Sequence, residues 1–227
     1  MVKISEIHSP ESIAKYIDHT LLAADATGTR IKTLCGEAVK FGFAAVCVNP
    51  YYVSYCAKLL AGSGVKVCAV IGFPLGALTR DMKAEQAAAC VKLGANELDM
   101  AANIGAAKSG DWAYVEKDIK AVVDAAGSAA VKVIIEACLL TDEEKIKMCA
   151  AAKGAGARFV KTSTGFSISG ANANDVKLIR AAVGGDMGVK AAGGIKSFRD
   201  AAKMLNAGAN RIGTSSGVKI VSEQQIL

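Results

Sequence analysis

Eight short apolar runs of strand length recur along the chain, each separated from the next by a stretch of helical period, and no other feature constrains the fold as much. The runs are Ile17–Leu22, Phe43–Asn49, Val65–Ile71, Glu97–Asn103, Val131–Ala137, Arg158–Thr164, Gly188–Ala192 and Asn210–Thr214. Between them, sets such as Ile31, Leu34, Cys35, Ala38 and Val39, or Trp112, Val115, Ile119, Val122 and Val123, fall on one face of a helix. Glycines at 42, 62, 94, 127, 156, 184 and 208 follow these periodic segments, where a left-handed helix end is needed.

A weak internal echo supports repeated strand–helix units: Gly94-Ala95-Asn96-Glu97, Gly156-Ala157-Arg158-Phe159 and Gly208-Ala209-Asn210-Arg211 all read as helix end, brief turn, strand. Thr141 with Glu144 three residues on is a capping box. Eight units in 227 residues suit a closed (β/α)8 TIM barrel, one domain over residues 1–227. Ser9, Pro10 and Glu11 predict an extra N-terminal helix that plugs the bottom of the barrel. An open doubly wound sheet is the alternative. Against it, no G-x-G-x-x-G or G-x-x-x-x-G-K-[ST] follows the first strand.

Composition excludes several function classes. Net charge is +6, but lysines and acids alternate along the helices, as in Lys117-Asp118 and Glu143-Glu144-Lys145, which describes a solvated surface rather than a nucleic-acid surface. No apolar run approaches the roughly 20 residues that span a bilayer, and Met1–Ser12 carries Glu6 and Glu11 where an export signal would be basic. The seven cysteines form no C-x-x-C pair and suit a reducing, cytoplasmic setting. With only His8 and His19, a metal site of usual ligand count is hard to assemble, so no metal and no cofactor is expected.

Both faces of a barrel strand are buried, so an ionisable residue within one needs a partner or a purpose. Asp99, Glu136, Lys161 and Lys190 stand toward the C-terminal ends of strands four to seven, where barrel active sites are built. Their neighbours Leu98, Met100, Ile135, Val160 and Val189 are apolar and can face helices. Two lysines facing one lumen repel, so at least one should have a depressed pKa and act as a nucleophile toward carbonyls. The bland alternative pairs Lys161 with Glu136 or Asp99, and Lys190 with the other acid. After strand seven come Gly193-Gly194, and after strand eight Ser215-Ser216 before a short helix; together they predict a phosphate cradle to which Gly165 adds an amide.

Six segments in order are similar to motifs of the deoxyribose-phosphate aldolases: Ile17-Asp18-His19-Thr20-Leu21-Leu22, Val46-Cys47-Val48-Asn49-Pro50, Gly72-Phe73-Pro74-Leu75-Gly76, Glu97-Leu98-Asp99-Met100, Phe159-Val160-Lys161-Thr162-Ser163-Thr164-Gly165 and Arg211-Ile212-Gly213-Thr214-Ser215-Ser216. The resemblance runs from about Ile17 to Ile220. It implies a class I aldolase that cleaves 2-deoxy-D-ribose 5-phosphate to D-glyceraldehyde 3-phosphate and acetaldehyde, with phosphorylated sugars and aldehydes as its small-molecule partners and a homodimer as its assembly. By that resemblance Lys161 is the Schiff-base lysine, Lys190 the lysine that keeps it deprotonated, and Asp99 the acidic partner in proton transfer. Asp18, Thr20 and Cys47 line the mouth, Cys47 by contact or by packing alone, and Thr164, Gly165, Gly193, Gly194, Gly213, Ser215 and Ser216 complete the substrate wall. The chain departs from the family at Ala23, Ala101-Ala102-Asn103, Ala137 and Ala192, and it ends in Glu223-Gln224-Gln225-Ile226-Leu227 where longer relatives carry a proton-relaying tyrosine. The competing readings are a phosphate-binding barrel isomerase or lyase without covalent chemistry, and a non-catalytic sugar-phosphate-binding protein.

Overall fold

A computed structural model describes residues 9–223 of the chain; the expectations attached to His8 and to residues 224–227 lie outside them. The order is β1 (Ile17–Leu21), α1 (Gly28–Phe41), β2 (Ala45–Val48), α2 (Val53–Leu59), β3 (Lys66–Ile71), α3 (Arg80–Lys92), β4 (Glu97–Ala101), α4 (Ile104–Lys108) and α5 (Trp112–Ala126). It continues through β5 (Ala130–Ile134), α6 (Asp142–Gly154), β6 (Phe159–Lys161), α7 (Ala173–Val183), β7 (Gly188–Ala192), α8 (Phe198–Asn206), β8 (Arg211–Thr214) and α9 (Gly217–Val221). Each strand pairs in parallel with its sequence neighbours and β8 returns to β1, closing an eight-stranded barrel with helices outside. The predicted TIM barrel is therefore the fold. Among the described residues no helix is long and apolar enough to cross a membrane.

Alternation sorts each strand. Val46, Val48, Leu98, Met100, Val160 and Val189 point outward into one core shared with the apolar helix faces, including Ile31, Leu34, Val115, Ile119 and Val122. Ala45, Cys47, Cys68 and Val70 form a separate small cluster inside the barrel. The lumen is thus mostly left to ionisable side chains. Several helix starts are capped as their residue types require: Thr27, Thr79, Asn172 and Ser197 each accept a backbone N–H of the first turn. Thr141 and Glu144 close the reciprocal box, at 3.2 and 2.8 Å.

Four expectations shift. The N-terminal helix is a 3-10 helix, Pro10–Tyr16, with Pro10 in its first turn. It packs on α8 and α9, and Ile13 joins the outer core, so it does not plug the lumen. The lower end is filled by side chains of the first residues of β4 and β8: the Arg211 guanidinium clamps Glu97 at 2.9 Å and lies 6.0 Å over the Phe159 ring. In α1, Val39 is exposed while Ile31, Leu34, Cys35 and Ala38 are buried. In α5, Asp118 is fully buried and bonded to the equally buried Lys83 of α3 at 2.6 Å, an ion pair between neighbouring helices. The strands also end earlier than the apolar runs. β4, β5 and β6 stop at Ala101, Ile134 and Lys161; Ala102, Ile135 and Thr162 still each donate one backbone bond to the next strand before the chain turns into the barrel mouth.

Candidate active site

The lumen holds a continuous network of buried charges centred on Asp99. Its Oδ2 accepts from Lys161 Nζ at 2.7 Å and Lys190 Nζ at 2.6 Å; its Oδ1 accepts from Lys132 Nζ at 2.9 Å and the Cys68 thiol at 3.1 Å. Asp18 takes the second bond of Lys190, at 2.5 Å, and is gripped by Arg211 through Nε at 2.8 Å. Glu97 completes the set, 2.6 Å from Lys132. In-register pairing explains the convergence. Asp99 lies opposite Lys132, and Lys161 opposite Lys190, so side chains on the inner face of neighbouring strands meet at one height.

Electrostatics fixes several protonation states. Burial pushes the Asp99 carboxyl up, but Lys132, Lys161 and Lys190 outweigh it and hold Asp99 well below the usual carboxylate range. Asp18 behaves likewise: burial raises it, and Lys190, Arg211 and Lys132 bring it below the ordinary value. Burial alone would lower Lys190, yet Asp18 and Asp99 together hold it above the usual lysine range. Lys190 is therefore not the depressed lysine expected from two facing amines, because like-charge repulsion is overridden by carboxylates that each contact it. Four cations (Lys132, Lys161, Lys190, Arg211) face three carboxylates (Asp18, Glu97, Asp99), an excess of one positive charge.

Lys161 is the lysine of this cluster that borders open space. It lines a cavity of about 470 Å³ together with Thr20, Thr164, Gly165, Gly193, Gly194, Gly213 and Ser215. Among the described residues the backbone N–H groups of Gly165, Gly193, Gly194 and Ser215 make no intramolecular hydrogen bond. Four unpaired donors around one hollow are suited to an anion with several acceptor oxygens. Gly193 has φ of +89° and packs so tightly on Gly170 that a Cβ there would lie 3.0 Å from the Gly170 Cα; Gly213 leaves room for the Lys190 side chain, whose Cε a Cβ would meet at 3.0 Å. A neighbouring hollow of about 330 Å³, lined by Phe73, Leu75 and Gln86 among others, has no ionisable side chain in its wall.

The structure does not bring every expected residue to that wall. Asp18 and Cys47 lie in the floor, fully buried; Asp18 is drawn down by Lys190 and Arg211, and the Cys47 sulfur is 3.9 Å from Asp99. Ser216 is turned away, its N–H donating to Thr214 Oγ1 at 2.9 Å, and α9 behind it has only five residues. Glu136 sits past the end of β5 and bonds Thr164 instead of a lysine. Lys132, Glu97 and Arg211 were not singled out as site residues, although Lys132 carries the same signal as Lys161, a charge flanked by Val131 and Val133. Arg30 and Lys196 also line the cavity and add positive charge at its rim.

Comparison with known proteins places this geometry in context. Residues 12–223 match the family model described as DeoC/LacD family aldolase. The chain is similar to the deoxyribose-phosphate aldolase of Streptococcus uberis, 58% identical over 94% of this chain and 97% of that protein. It is 57% identical to the enzyme of the same name from Streptococcus mutans, over 94% and 97%. Among solved structures it is similar to a deoxyribose phosphate aldolase from Aeropyrum pernix described as tetrameric, with TM-score 0.90, 37% identity, and coverage of 96% of this chain and 93% of that one.

Proposed function

Since the chain belongs to the DeoC/LacD family of aldolases, we propose that Lys161 is the amine through which it works, as a class I aldolase reversibly splitting 2-deoxy-D-ribose 5-phosphate into acetaldehyde and D-glyceraldehyde 3-phosphate. The observation that carries this reading is a single cavity lined both by Lys161 and by residues whose backbone amides are unpaired. In this mechanism the Lys161 amine adds to the C1 carbonyl of the open-chain sugar, and loss of water gives an imine. Protonated, the imine draws electrons from the C2–C3 bond. That bond breaks as a base takes the C3 hydroxyl proton, releasing D-glyceraldehyde 3-phosphate; the enamine then gains a proton at C2 and is hydrolysed to acetaldehyde. Asp99, ionised and 2.7 Å from Lys161 Nζ, is placed to take the proton that frees the amine and to return one later. Lys190 stays cationic beside the same oxygen and holds Asp99 in position.

Borohydride reduction in the presence of acetaldehyde tests the covalent step. The expected result is a stable ethyl adduct on the peptide containing Lys161; a barrel working without covalent chemistry, or an idle sugar-phosphate binder, gives none. The amides of Gly165, Gly193, Gly194 and Ser215 are the proposed phosphate site. Ser215→Asp should set a carboxylate against the dianion and lower kcat/KM for deoxyribose 5-phosphate on the order of tenfold, the scale of one partly screened like-charge contact. Unphosphorylated 2-deoxyribose should lose far less. Equal losses for both substrates, in a folded variant, would assign these loops to supporting the mouth.

The seven thiols are all free, six of them buried, which supports a reducing, cytoplasmic setting. A homodimer is the proposed assembly, and light scattering on the purified chain distinguishes it from the tetramer described for the Aeropyrum pernix relative.

A further inference from the structure

Glu136 is a buried ionisable residue of the barrel mouth that the reaction leaves unused, and its surroundings give it a task. It is the sole non-glycine residue with positive φ among the described residues, at φ 46° and ψ 61°. Glycine adopts that conformation freely and other residues do so under strain. Its carboxylate is buried within reach of a cavity suited to an anion, yet among the described residues it forms no ion pair. Both oxygens instead serve Thr164: Oε1 accepts the Thr164 N–H at 3.2 Å, and Oε2 accepts the Thr164 hydroxyl proton in a short bond.

That arrangement uses both donors of Thr164. The hydroxyl oxygen in turn accepts the Phe166 N–H at 3.1 Å, and the Phe166 ring meets Phe73 edge-on across the mouth, with centroids 5.4 Å apart. A hydroxyl has one proton and two lone pairs, so Thr164 is left with one lone pair and nothing to donate. It can receive a hydrogen bond from a substrate hydroxyl but cannot bind phosphate oxygens. We infer that Glu136 is a positioning residue: it fixes the Thr164–Phe166 turn three residues beyond Lys161, presents the Gly165 amide to the phosphate, and sets Thr164 as an acceptor for a hydroxyl of the sugar.

This inference rests on the aldolase reading, and its test separates the two. Glu136→Gly removes the carboxylate while supplying the residue that best tolerates φ 46°, so the fold should survive. Its kcat/KM for deoxyribose 5-phosphate is expected to fall about tenfold, mainly through KM, as for one lost charge-assisted hydrogen bond. Borohydride trapping of acetaldehyde on Lys161, which needs neither phosphate nor sugar hydroxyl, should stay within about twofold of the parent. Thr164→Val should produce a similar loss, and the double variant no more than the larger single loss, because the two residues act as one unit. Glu136→Gln, which keeps the size and one acceptor oxygen, should recover most of the affinity. Unchanged KM in Glu136→Gly, additive losses in the double variant, or a Glu136→Gly protein that does not fold would each overturn the positioning role. Absence of trapping in the parent protein would overturn the aldolase reading instead.

Discussion

Lys161→Arg is expected to abolish aldol cleavage while leaving the protein folded. A guanidinium remains protonated at any working pH and has no free pair to add to a carbonyl. It does keep a positive charge and a donor for Asp99 Oδ2, which Lys161 contacts at 2.7 Å. The buried network therefore still faces three carboxylates with four cations, and no unpaired charge is created. The loss should be about 10⁴-fold or more in kcat, on the scale seen when a covalent nucleophile is removed from an enzyme. Steady-state cleavage of deoxyribose 5-phosphate measures it, with thermal unfolding as the control for structure. Residual activity within a hundredfold of the parent, in a variant with unchanged melting, would take Lys161 out of the nucleophile's role.

That Lys161 could be placed on the inner face of the barrel from the sequence, while much of its environment could not, has a physical reason. Strand alternation and the eight spaced apolar runs were enough to set Asp99, Lys161 and Lys190 on the inner face, and register does bring Lys161 opposite Lys190. Lys132 has the same flanking pattern and lies level with Asp99, but it is fully buried and does not reach the cavity wall, which cannot be read until the barrel is closed. Asp18 was legible as a lumen residue, whereas its position in the floor depends on Arg211, 193 positions away. The pairing of Lys83 with Asp118 is equally non-local: amphipathic period puts a charge on a solvent face, and only the packing of α3 on α5 turns it inward. The left-handed backbone of Glu136 was hidden for a local reason. Left-handed backbone is anticipated at glycine or asparagine, and Ile135-Glu136-Ala137 carries neither.

Asp99→Asn should show how far the three lysines depend on one carboxylate. With Asp99 neutral, the count becomes four cations against two carboxylates, and an amide nitrogen is turned toward ammonium groups that each need an acceptor. Breaking a buried ion pair by removing one partner costs about 3–5 kcal/mol, and the variant is expected to lose stability on that scale at pH 7. Aldol cleavage should fall by about 10²–10⁴-fold, as when a positioned acid–base group is lost. The pH dependence gives the sign independently. Asp99 in the folded protein lies well below its ordinary value because Lys132, Lys161 and Lys190 outweigh the effect of burial. Its contribution to stability is therefore fully present above an unfolded aspartate's value of about 3.9. It disappears as pH falls from there toward the native value. The stability gap between parent and variant should be constant from pH 7 down to about pH 5 and should narrow below about pH 4. Urea unfolding across that range reads it directly. A gap that stays constant to pH 3, or a variant as stable as the parent at neutral pH, would show that the lysines find other partners and that Asp99 is not the centre of the network.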